Sequence, residues 1–207
     1  MYTPKPFQNQ NTDEVKTFIK ENGFGILISH KDGSLLASHI PLDFSEDENK
    51  LVGHVSRGNP QWKNFSNEDE VLVIFNGPHT YISSSWYNYE NVPTWNYIAA
   101  HVYGKIRIIE GEGLHLSLKR LMEKYEKNSS NPASVEKLSP GYMQRAVLGI
   151  VGFEITITRI EATYKLSQNR DEENFSNIIH ELEKHTDENS LQIAEAMKEK
   201  RCPISHS

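Results

Sequence analysis

Two groups of side chains in this sequence have the types and spacing to do chemistry. The first is a pair of histidines. His39 lies in Ser38-His39-Ile40-Pro41, and His54 in Gly53-His54-Val55-Ser56-Arg57-Gly58-Asn59-Pro60. Each sits at the end of a strand-like run. Arg57 follows, and Asn59-Pro60 reads as the N-cap and first residue of a short helix. Free N–H groups at a helix start and the planar fork of an arginine suit phosphate oxygens. One reading is therefore an anion site; the other is an ordinary cap beside a surface arginine. The second group lies in Val71–Tyr87 and Val92–Gly104, which hold two of the three tryptophans and Ser83-Ser84-Ser85. Trp86, Tyr87, Trp95 and Tyr97, with Asn96 among them, could flank a planar, polar-edged ligand, because such rings need apolar contact and a hydrogen-bond partner together. They could equally be core or interface aromatics. The serines could donate to phosphate or ribityl oxygens, or simply edge a strand.

Other chemistries find less support. There are nine histidines, but no HExxH pair, and His39, His54, His79 and His101 are dispersed, so no metal is expected. No GxSxG elbow, GxGxxG loop or Walker loop occurs. Tyr164–Arg170 is polar and basic directly after a strand, and alone it reads as a solvated loop.

These residues need elements to place them. Asn11 or Thr12 can cap a helix carrying Val15, Phe18 and Ile19, with Glu14 as a capping-box partner of Asn11 and Gly23 as its stop. Residues 24–30 and 35–42 form a hairpin through Lys31-Asp32-Gly33-Ser34, and 51–55 a third strand. Val71–Phe75 and His79–Ser83 read as two strands separated by a turn at Asn76-Gly77-Pro78. Trp95–Ile109 is a long strand or strand pair with a bulge at Gly104. Leu114–Tyr125 is an amphipathic helix, and 140–147 a short one. Phe153–Arg159 alternates with Phe153, Ile155 and Ile157 inward and Glu154, Thr156 and Thr158 outward. Two charged helices follow, over 171–185 and 190–200. About seven closely spaced strands leave no room for βαβ crossovers, so a mainly β, antiparallel barrel with peripheral and C-terminal helices is expected.

The chain has 207 residues and a formal net charge of −6, which argues against nucleic-acid binding by charge alone. A single cysteine, Cys202, rules out an intrachain disulfide. The first ten residues hold no apolar stretch of the signal-peptide kind, and no run approaches membrane length, so a cytoplasmic protein is expected.

Taken in order, MYTPKPF at the start, SHIPL at 38–42, GHVSRGNPQW at 53–62, GPHTYISSSWY at 77–87, VPTWNY at 92–97, HVYGK at 101–105, GFEI at 152–155 and KLSQNR at 165–170 resemble the PaiB family, the FMN-binding negative transcriptional regulators. That resemblance implies an antiparallel split β-barrel like pyridoxamine-phosphate oxidase, over residues 1–170, with 171–207 as a helical extension. It implies a homodimer with FMN at the subunit interface. Carried onto this chain, Ser38, His39, His54, Arg57 and Asn59 would contact the flavin. Ser83, Ser84, Trp86, Tyr87, Trp95 and Asn96 would line the ring or the interface, and Lys165, Gln168 and Asn169 would approach the site. The family name further implies repression of sporulation and degradative-enzyme (protease) genes, yet no helix-turn-helix is legible and 171–200 is not basic. An FMN-dependent oxidoreductase and a haem-binding split barrel are the alternatives.

Overall fold

A computed structural model describes residues 1–65 and 70–201; Cys202 lies outside them. Its elements, in chain order, are α1 (Thr12–Glu21), β1 (Phe24–Lys31), β2 (Ser34–Phe44), β3 (Lys50–Ser56), β4 (Glu70–Ile82), β5 (Thr94–Ile109), α2 (Gly111–Glu126), α3 (Pro140–Leu148), β6 (Ile150–Lys165), α4 (Glu172–Leu182) and α5 (Glu188–Arg201), with short 3-10 turns between some of them. The six strands form an antiparallel closed barrel in the order β1-β2-β3-β6-β5-β4. Two compact units divide the chain. The barrel unit comprises 19–75 and 101–160; the other comprises 1–18, 76–100 and 161–207. β4, β5 and β6 contribute residues to both.

In the barrel unit, strand alternation fills the interior with Leu27, Leu42, Phe44, Leu51, Val73, Phe75, Val102, Ile106, Phe153 and Ile155, all at most 1% exposed. Phe65 closes edge-on over Phe153 at 5.3 Å between ring centroids. The β1–β2 hairpin turns through Asp32 and Gly33, both at positive φ (50° and 79°), which is the conformation its Asp-Gly sequence predicts. Gly104, where a bulge is expected, lies within the continuous strand β5. A Cβ there would stand 2.4 Å from the Thr156 carbonyl oxygen of β6, so the glycine permits close strand approach. Glu154 does not point into solvent as the alternation suggests. It is 9% exposed and accepts from Lys50 Nζ at 2.8 Å and Arg107 Nε at 2.7 Å. Burial pushes its carboxyl up, but those two cations outweigh burial and hold it below the usual carboxylate value.

In the other unit, Asn11 caps α1 as expected: its Oδ1 accepts the Glu14 N–H at 3.3 Å. α1 buries Val15 and Phe18, and Phe18 meets Tyr164 edge-on at 6.0 Å. The expected turn at 76–78 is absent, because β4 runs unbroken from Glu70 to Ile82. Gly77 instead makes room for Phe18, whose Cε2 would lie 2.5 Å from a Cβ at that position. Six strands result where about seven were expected. Asp171 caps α4 by accepting the Asn174 N–H at 2.9 Å, and α4 and α5 bury Ile178, Leu182, Ile193 and Met197.

Candidate functional site

In the barrel unit, β2 and β3 pair over only three positions: Phe44 with Leu51, Asp43 with Val52, and Leu42 with Gly53. β2 nevertheless extends back to Ser34 and β3 forward to Ser56. Past Leu42 and Gly53 the strands part, and a cleft of about 510 Å³ lies between them. It is lined by Ser38, His39, Ile40, His54, Val55, Ser56, Asn59, Gly149 and Ile150. Four of the five residues singled out in the first group of motifs therefore meet at one place.

The donors around this cleft are oriented by the chain's own bonds. Ser38 Oγ accepts from Asn59 Nδ2 at 2.7 Å, and Ser56 Oγ accepts from the Gly58 N–H at 3.2 Å. Each hydroxyl proton is left to donate. Asn59 spends its Oδ1 on the Gln61 N–H at 2.9 Å, capping the 3-10 turn Pro60–Asn64. The helix start expected at Asn59-Pro60 is thus a five-residue 3-10 turn. His39 is exposed and stacks at a tilt on Phe24, 6.3 Å away. His54 is half-buried, and its Nδ1 is walled off with no hydrogen-bond partner. Burial lowers its pKa, so it is a neutral imidazole at pH 7.

Arg57 does not line this cleft. Its Nε donates to Leu148 O at 2.8 Å, its Nη2 to Ile150 O at 2.9 Å and its backbone N–H to Gly149 O at 2.8 Å. The guanidinium thus caps the last carbonyl of α3, where a cation is favoured, and ties it to the first carbonyl of β6. It also borders a smaller, apolar pocket of about 250 Å³ with Trp62, Ile109, Leu114, Val147 and Leu148.

Sequence reasoning missed Gln61. It is 1% exposed, and its Nε2 donates to Leu27 O at 3.1 Å, Ser29 Oγ at 3.1 Å and Leu36 O at 3.2 Å. Two carbonyl acceptors fix which end of the amide carries hydrogen. Its position after Pro60 in a 3-10 turn was the available signal, but nothing local tells that this glutamine points into the barrel.

The remaining candidates fall in the other unit. Ser83 caps the turn Ser84–Trp86 and shares a hydrogen bond with Ser85 Oγ at 2.8 Å. Trp86 meets His185 edge-on at 6.0 Å. Tyr87 is buried beneath Arg170, whose guanidinium lies 5.1 Å from the ring centre. Trp95 is 53% exposed and contacts Tyr81 and His79 at 6.1 and 6.2 Å. Asn96 is fully buried, its Oδ1 accepting from Ser167 Oγ at 3.1 Å and its Nδ2 reaching Met197 Sδ at 3.6 Å. Lys165 Nζ donates to Thr94 Oγ1 at 2.5 Å, and burial, then the charge of Arg170, lower its pKa. Gln168 ties Tyr164 O and Pro6 O at 2.6 and 3.0 Å, and Asn169 is exposed. Among the described residues no three His, Cys, Asp or Glu side chains gather to hold a metal, and no helix is long and apolar enough to cross a membrane.

Comparison with known proteins adds a lineage to this geometry. Residues 1–159 match the family described as "Putative FMN-binding domain". The chain is 46% identical to "Protease synthase and sporulation protein PAI 2" of Bacillus subtilis (strain 168), over 97% of this chain and 98% of that protein. Among solved structures, the flavocytochrome Anf3 from Azotobacter vinelandii matches with a TM-score of 0.62 at 13% identity, covering 82% of this chain and 75% of the other. The FAD and heme binding protein from Mycobacterium smegmatis matches with a TM-score of 0.60 at 12% identity, covering 82% and 78%. At such identities the likeness is one of fold, the flavin split barrel.

Proposed function

The chain belongs to the FMN-binding domain family that its residues 1–159 match, and from that membership we propose that it binds one FMN per chain in the cleft where β2 and β3 part. The single observation that carries the assignment is the convergence of Ser38, His39, His54 and Asn59 on this cleft. The donor set fits the group. Two hydroxyls with protons to give suit phosphate or ribityl oxygens. The unpartnered imidazole nitrogen of His54 marks a polar group not satisfied within the chain. The volume lies in the range of roughly 300–1,000 Å³ usual for small-molecule sites.

Bound FMN would supply electron and hydride chemistry; the protein's part is to hold and orient it and to limit water. The relative's name, a protease synthase and sporulation protein, supports a regulatory role in which flavin occupancy or redox state alters a partner contact. A net charge of −6 makes a protein partner the better reading than direct DNA contact.

We further assign a homodimer. On the outside of the barrel unit, Ile26 and Ile28 of β1 stand opposite Ile74 and Leu72 of β4. Phe24 and Leu35 on the same unit are 64% and 72% exposed. This apolar outer face continues through Phe24 to His39 at the cleft rim, and a second copy of the chain is the occupant that would cover face and rim together.

The deciding experiment is the visible absorption spectrum of the purified protein before and after loading with FMN and desalting. A retained flavin spectrum at one equivalent per chain is expected. A chain that keeps no flavin and shows a Soret band with haem would move the assignment to haem, with His54 as the ligand to replace first.

A further inference from the structure

The cleft exists because the β2–β3 ladder stops, and two features of the chain stop it. The Ser45 N–H donates to Lys50 O at 2.9 Å, so odd-numbered residues of β2 face β3, while the Leu42 N–H turns the other way, to Gly23 O at 2.8 Å. In the register set by Leu42 and Gly53, the next residue of β2 to donate toward β3 would be residue 41, and its acceptor the His54 carbonyl. Residue 41 is proline and has no N–H to give. The step after that would pair His39 with Ser56, both of which line the cleft.

The second feature is the segment Arg57–Gln61, which is bonded to both walls. Arg57 holds Leu148, Gly149 and Ile150 on the β6 side. Asn59 and Gln61 hold Ser38, Leu27, Ser29 and Leu36 on the β1–β2 side. Gly58 and Asn59 fold back on Ser56, through its Oγ at 3.2 Å and its carbonyl at 2.9 Å, so β3 ends there. We propose that Pro41 and this Arg57–Gln61 strut hold the β2–β3 seam open as a ligand cleft, with Gln61 as the positioning residue that fixes its width. Pro41 withholds the bond that would extend the ladder. The strut keeps the two walls a set distance apart. The His39 peptide groups and the Ser56 N–H are then left for a ligand instead of for each other, while the Ser56 carbonyl is already held by the Asn59 N–H at 2.9 Å. The importance of this for FMN rests on the cofactor assignment above, but the seam itself does not.

The test uses the full chain, Pro41→Ala and Gln61→Met, with amide hydrogen exchange resolved by residue and FMN binding followed by fluorescence. Alanine at 41 restores the donor, so the ladder should run on and the His39 and Ser56 amides should exchange at least tenfold more slowly than in the parent. FMN affinity should fall about tenfold in the same variant. Gln61→Met keeps the side-chain volume but removes three hydrogen bonds; FMN affinity should fall while unfolding stays cooperative. Unchanged exchange at His39 and Ser56 in Pro41→Ala would overturn the inference, as would parental FMN affinity in both variants. A parent chain that takes up no FMN defeats the cofactor assignment instead, and the exchange rates still decide the seam.

Discussion

At the scale of single residues, Arg57 and Ser38 separate two kinds of contribution. Arg57 donates two side-chain hydrogen bonds to the carbonyls of Leu148 and Ile150. Arg57→Ala should therefore lower stability by about 1–2 kcal/mol, and Arg57→Lys should not restore it, because an ammonium cannot span two carbonyls as a fork does. Urea unfolding of the three proteins checks this. Ser38→Ala removes a donor from the cleft and takes away the acceptor of Asn59 Nδ2. FMN affinity should fall about fivefold, the equivalent of ~1 kcal/mol, read by flavin fluorescence. The sequence groups Ser38, His39, His54 and Asn59 through two neighbouring strand-like runs and a cap, which leave local signatures, although Ser38 and His39 lie inside β2 and not at its end as expected. Gln61 leaves none: its three acceptors belong to β1 and β2, and only tertiary structure brings them together. Asn96, flanked by aromatics, bonds to Ser167 and Met197, which are 71 and 101 residues away, and those partners are equally invisible in the local sequence.

Among the elements, strands with one buried face are legible from alternation, and the hairpin at Asp32-Gly33 from turn chemistry. The run Asn76-Gly77-Pro78 carries equally strong turn chemistry, yet β4 passes straight through it. Gly77 is there to admit Phe18, a demand set by α1 and invisible in the local sequence. Glu154 is the corresponding case for charge. Alternation places it outward, and only the pairing of β3, β6 and β5 supplies Lys50 and Arg107. Its carboxyl is held below its unfolded value. The resulting stability is fully present above the unfolded value of about 4.3 and is lost as pH falls through the lower folded value. Glu154→Gln should thus be less stable than the parent near neutral pH, and the difference should shrink on acidification below about pH 4. Denaturant melts across that range measure it; a gap that stays constant with pH would assign the loss to packing alone.

For the whole molecule, the apolar outer face predicts association. Ile28→Asp puts a carboxylate opposite Leu72 on that face and should convert a dimer to a monomer in light-scattering chromatography, with FMN affinity falling in step. An unchanged mass would place the contact elsewhere. The sequence reads Phe24–His30 as a strand, and its apolar residues do not distinguish cover by a helix from cover by another subunit. The parting of β2 and β3 was equally hidden, since hydrophobic pattern specifies which face of a strand is buried and not where its neighbour leaves it.

The parted seam also bears on solubility. Strand edges with unspent backbone groups invite other chains to add as strands, and proteins guard such edges with prolines and charges. Pro41 stands on the β2 edge of the seam, and the ladder beyond it is unmade. A ligand seated there would act as a plug against intermolecular strand addition. The protein stripped of FMN should form aggregates faster on gentle heating than the loaded protein, which light scattering at matched concentrations would measure. Storage and expression yield would then depend on flavin supply even where the flavin's chemistry plays no part.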